Sequence, residues 1–176
     1  MDASEVAARF NLEPLPVEGG FFRQIWRSPV DAEQPTGTAI IAMLTNTPDG
    51  FSQFHRLPTD ELWHFYTGDA LELVLLEAGG TSRHVLLGTD LEAGQVPVAI
   101  VPAGTWMAAR TTRRWSLFGN TMAPGFTDAD YEGADPDTLL AGWPSEREAI
   151  VALTRPGSRR RLVFPGQSHE KTEGGA

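Results

Sequence analysis

At 176 residues, with 41% hydrophobic and 21% charged side chains, the chain has the size and composition of one soluble domain with a substantial core. Its 23 acidic against 14 basic residues leave a formal charge of −9, which argues against a nucleic-acid backbone or an anionic membrane as main partner, because both select clustered Lys and Arg. The absence of cysteine removes disulfides, thiolate nucleophiles and thiolate-held zinc; with no signal-peptide pattern and no apolar run near the ~20 residues of a membrane span, a cytoplasmic protein is expected.

In chain order, Asp2 to Asn11 reads as a short helix with Ser4 as its cap and Val6, Phe10 and Leu12 on its apolar side. Two prolines and Gly19-Gly20 precede a strand-like run from Phe21 to Arg27, and DAEQPTG reads as a loop. Short strands then recur as TAIIAMLT, GFSQFHR, ELWHFYTG, ALELVLLEA, SRHVLLG, VPVAIVPAG and RWSLFGNTM, separated mostly by Gly, Pro, Asp or Asn. Seven or eight such strands with no long helix between them predict an all-β, antiparallel sandwich or barrel. APGFTDADYE, with Asp128, Asp130, Tyr131 and Glu132, reads as a loop or lid over one end. PDTLLAGWPSEREAIVALTR predicts a helix, a break at Pro144, and a second helix from Ser145, with Ser145 and Glu148 as a capping box. Residues 1–154 are expected to form one domain, and 155–176, including RPGSRRR and His169, a disordered tail.

The densest chemistry lies in FHRLPTDELWHFYTGD, Phe54 to Asp69. Period-two alternation places Gln53 and His55 on one face of their strand, and Glu61, Trp63 and Phe65 together on the next. Asp60, Leu62, His64 and Tyr66 take the opposite face, so Glu61 and His64 share a cavity only if a bulge intervenes. Two sets are open: His55 with Glu61, or His55 with Asp60 and His64. His55 is equally readable as a buried histidine held by a backbone carbonyl. An inward Glu61 between aromatic residues needs a cation or a donor; Arg23 is one candidate, and Arg110 is a second free cation. No G-x-S-x-G elbow, P-loop or dinucleotide fingerprint is present, and Ser52 has the wrong strand parity for a triad with His55.

The run from Gly50 to Gly68, with His55, Glu61 and a glycine seven residues later, resembles the first motif of the cupin superfamily, and GQVPVAIVPAGTWM resembles the second. The phrases EGGFFRQIWRS, TAIIAMLT, FSQFHRLPTDELWHFYTGDALEL, VPAGTWMAAR and APGFTDADYE, in that order, are similar to the cupin_5 family over roughly Leu12 to Thr154. The resemblance implies a single cupin (jelly-roll) β barrel with short terminal helices, and a homodimer pairing through its outer sheet. Metal-binding cupins supply two histidines and a glutamate from the first motif and one histidine from the second, for iron, manganese or a similar divalent ion. Here two of those positions hold Leu57 and Met107, leaving His55 and Glu61, to which His64 is the one possible addition. A divalent metal is thus a possible cofactor and none is certain.

A histidine beside a carboxylate in a low-dielectric barrel suits proton abstraction next to a carbonyl, with His55 and Glu61 as catalytic residues. Arg23 and Arg110 are candidate anchors for a ligand's charged group, and Trp63, Phe65 and Trp106 candidate walls for it. The expected function is an isomerase, epimerase or lyase acting on a small polar metabolite, sugar-like or a carboxylic acid; the alternative is a non-catalytic small-molecule-binding barrel.

Overall fold

Helix α1 (Ala3–Phe10) begins at Asp2 rather than at the expected Ser4. The Asp2 carboxylate accepts the Glu5 amide at 2.9 Å while the Glu5 side chain accepts the Asp2 amide at 2.8 Å, so two otherwise orphaned donors are satisfied reciprocally. Val6 then buries its side chain, with Ala7 and Phe10, against Ile41, Met43 and Leu117 on the outside of a sheet. The structure, a computed structural model, describes residues 1–29 and 34–155.

Eleven strands are described: β1 (Glu13–Pro14), β2 (Phe21–Arg27), β3 (Thr38–Thr45), β4 (Ser52–Arg56), β5 (Glu61–Gly68), β6 (Leu71–Leu76), β7 (Ser82–Leu87), β8 (Val98–Val101), β9 (Trp106–Thr111), β10 (Trp115–Met122) and β11 (Glu132–Gly133). They form two antiparallel sheets, β1-β2-β3-β10-β5-β8 and β11-β4-β9-β6-β7, which face each other as the halves of a jelly-roll barrel. Between the sheets lie Leu71, Leu73, Leu75, Met107, Phe118 and Trp63, the last two stacked with centroids 4.9 Å apart. Each leucine so removed from water contributes about 2 kcal/mol.

Strand β9 was not among those predicted. WMAART contains one β-branched residue and, taken locally, favours a helix; it becomes a central strand because β4 and β6 flank it on both sides. The outer face of this sheet, with Phe54, Val74, Leu76 and Trp106, is covered by α2 (Pro136–Gly142) and α3 (Arg147–Ala152) through Leu139 and Ile150. The predicted break at Pro144 is a short 3₁₀ turn, Pro144–Glu146. Ser145 caps nothing, since α3 follows directly from that turn with Glu146 at its start and no side-chain cap. Arg155 belongs to the barrel, its guanidinium donating to the carbonyls of Glu18 at 2.7 Å and Phe51 at 3.2 Å. The remaining tail and His169 lie outside the described residues.

Register decides which side chains meet inside. Across the six-stranded sheet, Gln24, Ile40, Asn120, Trp63 and Ala99 form one row, and Arg27, Thr38, Met122, Glu61 and Val101 the next, all on the inward face. The intervening rows, Trp26–Ala39–Thr121–Leu62–Ile100 and Arg23–Ile41–Gly119–His64–Val98, point outward. That outer face is half covered by α1; beyond it Trp26, Tyr66, Val98 and Ile100 remain exposed. No described helix is long and apolar enough to cross a membrane.

Candidate functional site

The inward rows open into a cavity of about 660 Å³ between the two sheets. Its apolar wall includes Leu15, Phe22, Ile40, Leu57, Met122 and Phe126; polar groups come from Glu18, His55, Glu61, Asn120 and Tyr131, with Arg27 and Asp128 also on the lining. The segment from Phe126 to Tyr131, folded around a 3₁₀ turn at Asp128–Asp130, forms one side of the opening, as expected of a lid loop. Asp130 takes no part in the lining because its carboxylate caps Thr127, and Glu132 turns outward to pair with Arg56 at 2.7 Å.

Glu61 is 7% exposed, and its partner is a donor from its own strand: the Trp63 indole N–H reaches its Oε2 at 2.7 Å. Burial, with the Glu18 carboxylate as a second contribution, pushes the Glu61 pKa up from 4.5 to about 8, outweighing the indole bond. Glu61 therefore carries a proton at neutral pH, and with Oε2 engaged by the indole the proton sits on Oε1. From the opposite sheet comes His55, stacked on Tyr131 with ring centroids 5.1 Å apart. Its Nδ1 lies 2.8 Å from the Gln53 carbonyl, which can only accept, so the neutral imidazole holds its proton on Nδ1 and leaves the Nε2 lone pair free. Both readings of His55 thus apply: a backbone carbonyl satisfies one nitrogen, and the ring lines the cavity.

Glu18, whose phrase EGGFFRQIW places it with Arg23 and Trp26 among positions able to line the cavity but gives it no role, is delivered by a strained loop. Val17 has φ 68, an unfavourable angle for a β-branched residue, and Gly19 and Gly20 follow at φ 102 and 71. A Cβ on Gly19 would lie 2.3 Å from the Phe51 carbonyl oxygen, so only glycine fits. Gln53 and Arg155 hold the loop by the carbonyls of Val17 and Glu18, and the Ser52 hydroxyl donates to the Glu18 carboxylate at 2.7 Å. Tyr131 and Asn120 were not among the inferred site residues. Tyr131 stands in APGFTDADYE, legible only as a loop or lid, and Asn120 in the strand RWSLFGNTM, whose inward face only the ladder decides.

Several residues named from sequence lie elsewhere. Arg23 is on an outward row, exposed, while its neighbours Phe22 and Gln24 face the cavity. Arg110 is outward on β9 and pairs with Glu72 at 2.6 Å. Trp106 faces the helices, under the Arg56 guanidinium 4.6 Å from its ring centre. Trp63 is fully buried and acts on the cavity through its bond to Glu61, and Phe65, half-buried, packs against the core cluster outside the cavity lining.

A sequence profile described as Cupin superfamily (DUF985), Cupin_5, matches residues 4–134. The chain belongs to the Cupin_5 family. No curated protein matches this cupin in sequence. Among solved structures, a Shewanella oneidensis protein is 33% identical with TM-score 0.82, covering 89% of this chain and 99% of that one. A hypothetical protein from Leishmania major is 26% identical with TM-score 0.78, covering 88% and 99%. The oxalate decarboxylase of Bacillus subtilis, at 12% identity and TM-score 0.53 over 90% of this chain and 44% of its own, shares the fold alone.

The metal set implied by the cupin resemblance does not assemble around His64. Its ring faces outward, bonded to the Thr121 hydroxyl at 2.9 Å, because β5 runs without a bulge from Glu61 to His64. Leu57 lines the cavity and Met107 lies opposite His55 in the β4–β9 ladder, so two positions that carry histidine in metal-binding cupins are apolar here. His55 and Glu61 remain, each with one donor atom already engaged. Among the described residues no group of three or more His, Asp or Glu side chains gathers as a metal site. The residues of this cupin do not fit a three-ligand first-row metal.

Proposed function

We propose that this cupin binds a small polar metabolite in its barrel and moves a proton on it, as an isomerase, epimerase or lyase, with His55 as base and Glu61 as acid. One observation carries the reading: a carboxyl that keeps its proton at neutral pH and an imidazole with a free Nε2 line the same cavity from opposite sheets. Nε2 of His55 would take a proton from the carbon beside a carbonyl. The C–H electron pair moves into the bond to the carbonyl carbon, and the Oε1 proton of Glu61 passes to the developing oxyanion, giving an enol. Return of a proton to either face of that carbon, or to its neighbour, gives epimerisation or isomerisation; departure of a β-substituent gives elimination. The Gln53 carbonyl and the Tyr131 ring keep the imidazole in place and in the required tautomer.

The test is proton NMR in D₂O with a panel of hydroxy-carbonyl compounds, sugars, hydroxy acids and keto acids. Wild type is expected to wash deuterium into the carbon beside the carbonyl of at least one compound, and His55→Asn to be slower by about 100-fold or more. A compound that binds and never exchanges favours the non-catalytic barrel instead.

A further inference from the structure

Among the described residues, Asn120 brings to the cavity a buried side-chain donor that has no partner. It is 6% exposed, lines the cavity, and its Nδ2 has no hydrogen-bond acceptor among the described residues. A buried amide donor in that state is unfavourable in the empty barrel, and filling its valence is what a ligand oxygen would do. The ladder pairs Asn120 with Trp63 and Met122 with Glu61, so Asn120 and Glu61 are diagonal neighbours on adjacent strands, with Cβ atoms roughly 7 Å apart and both side chains inward. The acceptor-bearing end of a small molecule can reach both.

The surroundings set the charge of that end. Glu18 and Glu61 both line the cavity, close enough for the Glu18 charge to act on Glu61. Arg27, the one Lys or Arg among the described residues of the lining, stands on β2 at the far end of the row from Glu61, with β3 and β10 between, and donates to the Phe126 carbonyl at 3.3 Å. With Glu61 neutral, the charge shown to act at this end is the Glu18 carboxylate, so a ligand carboxylate beside Glu61 would face a like charge. Phe22, Ile40, Met122 and Phe126 offer the rest of the molecule an apolar bed.

We infer that the cavity takes an uncharged α-hydroxy ketone or aldehyde with an apolar substituent, its two neighbouring oxygens received by Asn120 and Glu61, and that Asn120 sets this preference over the corresponding hydroxy acid. This rests on the proton-transfer reading only for what happens after binding.

Calorimetric titration and thermal unfolding with 2-hydroxyacetophenone and with mandelate, the hydroxy acid of the same carbon skeleton, with a hydroxyl on the benzylic carbon and a carboxylate in place of the hydroxymethyl group, test the inference on wild type and Asn120→Leu. Wild type is expected to bind 2-hydroxyacetophenone at least about tenfold more tightly than mandelate, and Asn120→Leu to lose that advantage. The ligand-free variant should melt at the wild-type temperature or above it, since an unpaired amide has been replaced by an apolar group of similar size. Mandelate bound as well as the ketone, binding of neither by about 10 mM, or a ligand-free Asn120→Leu that melts well below wild type would each overturn the inference. Deuterium exchange in the bound ketone is scored separately. Its absence there counts against proton transfer and leaves the ligand class standing.

Discussion

The raised pKa of Glu61 makes a quantitative claim on stability. The folded chain keeps this proton to about pH 8, whereas the unfolded chain releases it near 4.5. Between those values the folded state binds the extra proton, so each rise in pH favours unfolding. At about 1.4 kcal/mol per pH unit, the loss reaches about 3 kcal/mol at pH 7 and about 5 above pH 8, upper values that any local rearrangement reduces. Glu61→Gln keeps an acceptor for the Trp63 indole and cannot ionise. Thermal unfolding from pH 4 to 9 should therefore find variant and wild type close near pH 4.5 and diverging above it. At pH 7, with roughly 2–4 °C per kcal/mol for a domain of this size, the variant should melt about 6–12 °C higher. Parallel pH profiles for the two proteins would refute the reasoning, because they would mean that Glu61 ionises in the folded chain much as it does in the unfolded one.

Three further outcomes follow from the same geometry. Glu18→Gln removes the second contribution to the Glu61 shift, so carbon-13 NMR of the Glu61 carboxyl should find its titration at lower pH in the variant than in wild type. His84 lies between Glu72 and Glu146, 3.0 Å from each; burial lowers its pKa, but the two carboxylates outweigh this and raise it. Its contribution is complete below about pH 6.5 and lost as pH rises through the higher folded value; at 44% exposure of the side chain it amounts to less than about 1 kcal/mol, which urea titration of His84→Gln at two pH values would measure. The exposed outer row containing Trp26 and Ile100, 52% and 55% accessible, suits the homodimer that cupin resemblance implies, so sedimentation should find a dimer that Ile100→Lys dissociates, and a monomeric wild type would sink that proposal.

The barrel was legible because its strands are short, alternating and punctuated, and because parity is a strict rule: Glu61 and His64 do lie on opposite faces. Parity also failed to say which face was inner for isolated strands. Arg23 faces outward and Phe22 and Gln24 line the cavity, a choice the sequence leaves open because FFRQIWR has large side chains in both registers and only pairing with β3 decides between them. Trp106 faces the helices for a related reason: WMAART carries little local strand signal, and the helices that cover its outer face begin thirty residues further along the chain, at Pro136. Glu18 is legible from its phrase as a position able to line the cavity, but its effect on Glu61 is not, because its orientation depends on a positive φ at Val17 and on anchors from Gln53 and Arg155, contacts remote in sequence.

These contacts bear on why the cavity has its present composition. Around it lie a carboxyl kept in an apolar wall, a second acid that raises its pKa further, an amide without an acceptor, and a β-branched residue at a left-handed angle. Each is unfavourable to folding on its own, and a core selected for stability alone would replace all four with apolar side chains or glycine. Elsewhere Asp2 and Asp135 cap their helices and Arg56, Arg83 and Arg110 pair with acids on the surface, while the buried hydroxyls of Thr59 and Thr154 are without partners. That a buried acid, the charge that raises its pKa and an unpartnered amide gather on one cavity points to function rather than packing as what holds Glu18, Glu61 and Asn120 there. Substituting any of the three should therefore leave the empty barrel as stable or more so while weakening what it binds, the opposite of the result for Leu73 or Leu75, whose loss to alanine costs about 2–5 kcal/mol by opening a void in the core.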